Sequence, residues 1–314
     1  MRRRSRLAPL AVAALSVVVG GCQQVNFLKA RKNFRDGNAL YTAGEYKRAA
    51  AKYEDALKLN PEMTDIYFYL GNSYDNQYKP AKQGEADNDA LLQKAVANYK
   101  ISAERHPDPK MKKLSLEYLV AAYAPDKLND PGQAEPIVKR MIELDPNDST
   151  NYFALAKLYE DAGRYEEAEQ ALNTAKEKRP NDSTVYMQLA GFYNRQGEFE
   201  KTIGALEERA TKEPNNPEAF YTISTYYWDK AFRDFRLKDT QKRDYVLKGI
   251  EATDRALSLK PDYMEALTYK NILLRMRANT EKDPKVQKEL IEEADRLRNR
   301  AIEIQKKQKG VGGT

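Results

Sequence analysis

The sequence predicts an all-α solenoid of about seven helix-turn-helix units, and three observations carry that expectation. The pentapeptide PNDST occurs at both 146–150 and 180–184, and Pro146, Pro180 and Pro214 are each 34 residues apart. Between those prolines, two stretches share one apolar pattern: Tyr152, Leu155, Ala156 and Tyr159 fall on one helical face, as do Tyr186, Leu189, Ala190 and Tyr193. Composition agrees, because charged residues make up 32%, helix formers are abundant and only 15 glycines occur in 314 residues. A repeat array spreads its core along a stack instead of enclosing it in one globule.

Within the first of the two stretches, a turn is expected at Ala162-Gly163, where glycine takes the left-handed conformation that ends a helix. Ala168, Leu172 and Ala175 mark the buried stripe of a second helix, which Pro180 stops because it lacks an N–H and restricts its neighbour. The second stretch repeats this with Gly197, Leu206 and Pro214. In repeat length, paired helices and pattern of small and aromatic residues, these units resemble the tetratricopeptide repeat (TPR). That resemblance implies a right-handed superhelix. It covers 30–304, in units at about 30–63, 64–109, 110–148, 149–182, 183–216, 217–263 and 264–304.

The chain opens with MRRRSR and the apolar run LAPLAVAALSVVVGG, which is short for a transmembrane span and ends in small residues. Residues 1–21 therefore read as a signal peptide, an uncleaved anchor helix being the alternative. Val19-Gly20-Gly21-Cys22 resembles the bacterial lipoprotein box, which implies that the Cys22 thiol joins diacylglycerol and becomes the mature N-terminus. Cys22 is the only cysteine, so no intramolecular disulfide forms. By the same analogy, Gln23 in place of an inner-membrane retention aspartate favours the outer membrane, facing the periplasm, over the inner membrane. The arginine cluster fits general secretion better than twin-arginine export. Residues 22–29 are expected to be a short linker.

Unit one follows the repeat closely through Gly37, Leu40, Gly44, Tyr46, Ala49, Tyr53, Ala56 and Pro61. Unit two begins with Tyr67, Leu70, Gly71 and Tyr74, then carries an insertion with Pro80 and Gly84 before Ala95 and Tyr99. Unit three is irregular around the loop APDKLNDPG. Unit six opens with Phe220, Ile223, Ser224 and Tyr227 and has an insertion at WDKAFRDFRLKD. Unit seven has a third insertion after Leu274 and closes with Leu290, Ala294, Leu297, Ala301 and Ile304, the narrow stripe of a terminal cap. Residues 305–314, QKKQKGVGGT, are expected to fray.

Charge excludes one class of partner. The net charge of +6 includes four arginines in the expected leader, leaving 49 cations against 47 carboxylates from Cys22 onward. That balance is not the footprint of a nucleic-acid binder. Catalytic chemistry has little to work with. His106, the only histidine, precedes Pro107 at an expected helix end and reads as a solvated residue with no partner for metal. Glu85, Asp87 and Asp89 resemble calcium ligands only loosely and fit a helix N-terminus instead. Asn147 and Asn181 begin glycosylation-like triplets that read as helix-start chemistry. No phosphate loop or nucleophile elbow occurs, so no enzyme, cofactor or metal is expected.

Most of the 21 tyrosines, among them Tyr53, Tyr74, Tyr99, Tyr159 and Tyr193, fall on packing positions of the repeat. In TPR proteins, ligand contact comes from the first helix of each unit. Carried over by position, that concave face includes Phe34, Asn38, Tyr41, Phe68, Asn72, Phe153, Lys157, Met187, Asn194, Tyr221, Trp228 and Arg275. Asn38 and Asn72 stand where carboxylate-clamping TPRs carry asparagines. Phe34, Glu117 and Ala121 occupy the clamp's basic positions, so recognition of a C-terminal carboxylate should fail. The resemblances together imply a lipid-anchored envelope scaffold that binds a protein or peptide segment, helical or extended and apolar-rich. A glycan- or lipid-binding accessory of polysaccharide export is the alternative.

Overall fold

A computed structural model describes residues 8–311 and the side chains of 24–308. The Cys22 thiol and the side chains of the expected signal peptide lie outside the described residues. Among the described residues the chain forms fourteen α-helices in seven consecutive pairs. These are α1 (Ala8–Thr42) with α2 (Tyr46–Leu59), α3 (Thr64–Asp75) with α4 (Ala86–Arg105), and α5 (Pro109–Ala122) with α6 (Pro131–Leu144). Then come α7 (Ser149–Asp161) with α8 (Tyr165–Lys178), and α9 (Ser183–Arg195) with α10 (Phe199–Lys212). The last are α11 (Pro217–Arg233) with α12 (Asp239–Leu259), and α13 (Met264–Thr280) with α14 (Pro284–Val311). Among the described residues no helix is long and apolar enough to cross a membrane.

The periodic signals have direct structural counterparts. Asp148 and Asp182, the acidic residues of the two PNDST copies, are N-caps that accept the N–H of Thr150 (3.0 Å) and Thr184 (3.1 Å). The Tyr152 and Tyr186 hydroxyls donate to the carbonyls of Pro146 (3.0 Å) and Pro180 (2.7 Å). Tyr67 does the same to Pro61 at 2.9 Å, so each of these tyrosines pins the turn into its own unit. Gly163 takes φ 73° between α7 and α8 and closes a Schellman cap: its N–H donates to Glu160, and that of Arg164 to Tyr159. Gly44 and Gly197 build the same cap.

Two compact bodies divide the chain, Met1–Ala168 and Glu169–Thr314, each with its own core. In the first, Tyr53, Ile66, Leu116, Leu119 and Met141 join Tyr99 in one cluster. In the second, Ala231, Val246, Leu273, Leu274 and Leu290 form a cluster across the last two pairs. Ala168 in the first body and Ala190 in the second are fully buried.

Tyrosines of the first helices also reach carboxylates on the preceding pair. Tyr159 donates to Glu135 at 3.0 Å in the first body, and Tyr193 donates to Glu169 at 2.8 Å in the second. A cation lies over each ring, Arg164 at 4.2 Å and Lys201 at 5.0 Å. Glu135 receives Lys139 (2.7 Å), Arg164 (2.7 Å) and Tyr159, and these donors, Lys139 foremost, hold its carboxyl down at about 2. Because the folded value lies below the unfolded one, this contribution is complete above the ordinary carboxylate range and is lost as pH falls through about 2. Urea midpoints measured from about pH 5 downward should therefore fall more steeply for the wild type than for Glu135→Gln. Equal slopes would remove Glu135 from the acid response.

Three expectations are corrected. The linker expected over 22–29 is helical, because α1 runs unbroken through it, so these residues advance about 1.5 Å each, less than half the extended reach. The tail expected to fray from 305 continues as α14 to Val311. The insertions of units six and seven lengthen α11, α12 and α13. His106 is not solvated: it is 3% exposed at the end of α4. Its Nδ1 accepts the Asp108 N–H at 3.0 Å, which leaves Nε2 to donate to Asp65 at 2.8 Å. Glu85 and Asp89 behave as helix-start residues, Asp89 accepting the Gly84 N–H at 3.0 Å.

Candidate partner-binding faces

In the first body side chains from α1 to α5 meet in a continuous run of rings. Phe34 touches Tyr53 and Tyr69, Tyr69 touches Tyr41 and Phe68, and Phe68 touches Tyr99 and Tyr118, with centroids 5.2–6.1 Å apart. Most meet edge-on or tilted, as the ring quadrupoles favour. The two asparagines serve this run. Asn38 accepts the Tyr53 hydroxyl at 2.8 Å, and Asn72 accepts that of Tyr41 at 2.6 Å. Burial pushes the Tyr41 and Tyr53 phenols above their usual range, so both remain donors at neutral pH.

Above the rings lies an open groove of about 360 Å³, walled by Tyr41, Tyr46 and Tyr118 and floored by Asn72 and Asn76. Its charged end is an ion pair, Lys127 to Asp75 at 2.5 Å, with Asp75 almost enclosed. Aromatic walls, amides and a fixed charge pair suit a ligand that presents both apolar surface and backbone-like polar groups.

The second body carries its own row of rings across α11 and α13. Tyr263 meets Tyr221, Tyr221 meets Tyr269, Tyr269 meets Trp228 and Trp228 stacks on Phe232, each step 5.3–5.4 Å. Arg275 donates to Asn271 at 3.0 Å and pairs with Asp295 at 2.6 Å. Burial pushes the Tyr221 phenol up to about 12. A separate groove of about 810 Å³ runs between α10 and α12 over Phe220, Ile223 and Tyr227.

Of the residues expected on the concave face, Phe34, Asn38 and Tyr41 are half-buried on one side of α1. Phe68 and Asn72 are corrected: at 5% and 4% exposure they support the ring run and present little of themselves to a partner. Phe153 is half-buried, and Lys157 is exposed and paired with Asp161 one turn on. In the second body Met187 is half-buried, its sulfur accepting from buried Arg209 at 3.1 Å, while Asn194 is exposed. Tyr221 and Trp228 share the ring row, with Arg275 nearby on α13. Trp228 sits half-buried against the core cluster of its body, more a packing residue than a free anchor.

Several groove residues were not expected. Tyr118 stands one position from Glu117, and Asp75 and Asn76 lie just past the last periodic residue of α3, where the repeat pattern gives no guidance. Lys127 sits in the irregular loop of unit three, 52 residues from its partner Asp75, a distance at which sequence spacing gives no signal.

Residues 37–77 match a TPR repeat model and residues 127–191 a tetratricopeptide repeat model. No curated protein sequence matches the chain. Among solved structures, a tetratricopeptide repeat protein from Parabacteroides merdae is 12% identical, with 85% of this chain and 99% of that one covered at a TM-score of 0.47. MamA is 20% identical over 65% and 99%, at 0.41. YrrB, described as a TPR protein with an unusual peptide-binding site, is 20% identical over 75% and 88%, at 0.31.

Proposed function

We propose that this chain, a tetratricopeptide-repeat protein by its two matching segments, is a lipid-anchored interaction scaffold of the bacterial envelope that takes a protein segment on its first-helix face. The observation that carries the binding part is the groove of Tyr41, Tyr46 and Tyr118, whose walls are rings held against their neighbours and whose lining includes the exposed Asn76. Rings held by neighbours lose little freedom when a partner arrives, which favours tyrosine at contacts. The cation lining the groove, Lys127, is already paired with Asp75, so an internal segment fits it better than a chain terminus with its free carboxylate. The anchoring part is supported by the VGGC sequence and the single cysteine.

Tyr46→Ala is the discriminating variant. Tyr46 is half-buried at the start of α2 and its ring meets Tyr41 edge-on at 5.5 Å, so its loss leaves the core intact. Capture of the partner from crosslinked membranes should fall more than about tenfold while the melting curve stays close to wild type. Undiminished capture would move the contact off this groove. In the same membranes Cys22→Ser should lose labelling by a fatty-acid probe, and equal labelling would sink the lipid anchor. An alternative occupant, a glycan stacked on the open tyrosine faces, would show as capture sensitive to glycosidase instead of protease.

A further inference from the structure

The tip of the α11–α12 hairpin carries apolar and basic side chains that no packing need of the fold explains. Phe235 is 93% exposed, the most exposed large apolar side chain among the described residues, and Phe232 is 63% exposed. The tip also projects. α11 has 17 residues where α9 has 13, and the added turn lifts the joining loop by about 6 Å past the point where a regular pair reverses. From Asp229 to Asp244 the hairpin holds six cations, Lys230, Arg233, Arg236, Lys238, Lys242 and Arg243, against the four carboxylates Asp229, Asp234, Asp239 and Asp244, with Arg233 paired to Asp229 at 2.6 Å.

The charges are arranged around the rings. Asp234 ties down the turn: it accepts the Arg236 N–H at 3.1 Å and pairs with Arg236 at 3.0 Å and Lys230 at 3.0 Å. Phe235 is thereby held outward between two anchored residues. Among the described residues Lys238 and Lys242 make no ion pair. Phe232 is braced from behind, stacked on Trp228 at 5.4 Å with the ring planes 9° apart.

We propose that this tip is a lipid-surface contact: Phe235 and Phe232 enter the headgroup boundary of an anionic bilayer, and Lys238 and Lys242 meet its phosphates. A protein partner is the poorer fit. Protein hot spots seat an anchor in a packed pocket ringed by near-neutral contacts, whereas here the rings stand on a convex point with cations beside them. Membrane interfaces take that arrangement, because aromatic rings settle at headgroup depth and lysine or arginine side chains reach the anionic plane. Each cation near such a surface is worth about fivefold in affinity. The contact lies beyond the anchor and the groove, and depends on neither.

The test uses the full chain with a single reporter, Phe235→Trp in a Trp228→Phe background, since Trp228 is the only native tryptophan. The chain is mixed with vesicles of phosphatidylglycerol and phosphatidylethanolamine, or of phosphatidylcholine, with bromine-labelled acyl chains in a parallel set. In anionic vesicles the emission should move to the blue and be quenched by bromine. Lys238→Gln and Lys242→Gln should each weaken the response about fivefold, and added salt should weaken it further. Phe235→Asp, a change at a solvent-facing point that leaves the helices intact, should abolish flotation that depends on anionic lipid. A reporter that keeps its water-exposed emission in anionic vesicles overturns the proposal. So does burial that appears without vesicles as protein concentration rises, which would assign the tip to a second copy of the chain. Quenching reads position 235 alone, so a missing N-terminal lipid, seen as no flotation with phosphatidylcholine, is a separate result.

Discussion

Tyr99→Ala should destabilise the first body by roughly 3–5 kcal/mol, the cost of removing a large ring from a closed site. Tyr99 is fully buried on α4, its ring centroid 5.8 Å from Phe68 and 5.4 Å from Tyr118. The backbone opposite has moved in to meet it: a Cβ on Gly71 would lie 2.9 Å from the Tyr99 ring. The α3 backbone also abuts that of α4, a Cβ on Gly71 lying 3.1 Å from the Ala95 carbonyl, so the two helices have little room to close and the cavity persists. The hydroxyl contributes less. It sits 3.4 Å from both the Asn72 amide and the Asp75 carboxylate, long contacts by ordinary standards. Tyr99→Phe should therefore cost about 1 kcal/mol. Hydrogen exchange should show the loss of the Ala variant spreading from α4 to α3 and α5, since each helix of a stack is supported by its neighbours. An Ala variant within 1 kcal/mol of wild type would mean that the site collapses freely and that the ring run is not the spine of this body.

How legible the chain is depends on whether a feature is written locally. The Pro-to-Pro spacing is legible because each turn is closed by a residue six positions away, as Tyr186 closes on Pro180. The turn glycines are equally local, since the left-handed angle at Gly163 and Gly197 is a property of one residue. His106 is not local: Asp65, which receives its Nε2, lies 41 residues earlier. A lone polar residue at a helix end gives no sign that the neighbouring pair will cover it. Asn72 fails in the same way, because Tyr41 on another helix claims its amide oxygen. The length of α11 was hidden for a different reason. Asp229, Lys230, Ala231 and Arg233 break the repeat spacing yet suit a helix, so the inserted residues extend the helix they interrupt. The family positions name Tyr41 in the groove, whereas Tyr118, which walls it with Tyr41, stands one residue from the family position at Glu117.

Trp228→Ala should melt early instead of simply losing a partner. By family position Trp228 is a contact residue, and by that reading its removal would spare the fold. Its surroundings argue otherwise. The indole stacks on Phe232, meets Tyr269 edge-on at 5.4 Å, and packs against a cluster that includes Ala231, Val246, Leu273 and Leu274. Truncating it removes the link between the ring row of α11 and α13 and the core beneath, at a cost of about 3 kcal/mol, the low end for an aromatic because the indole is only half-buried. The indole nitrogen adds nothing to the loss, since Nε1 is buried without a hydrogen-bond partner. Trp228→Phe should accordingly recover most of the stability, keeping the ring contacts and removing an unsatisfied donor. Thermal melts followed by circular dichroism, with partner capture measured well below each midpoint, separate the two roles. If Trp228→Ala melts with wild type and capture drops tenfold, the ring is a contact and the packing account is wrong. If it melts early and captures normally when folded, recognition belongs to other surfaces, and the tyrosine-walled groove of the first body becomes the place to look.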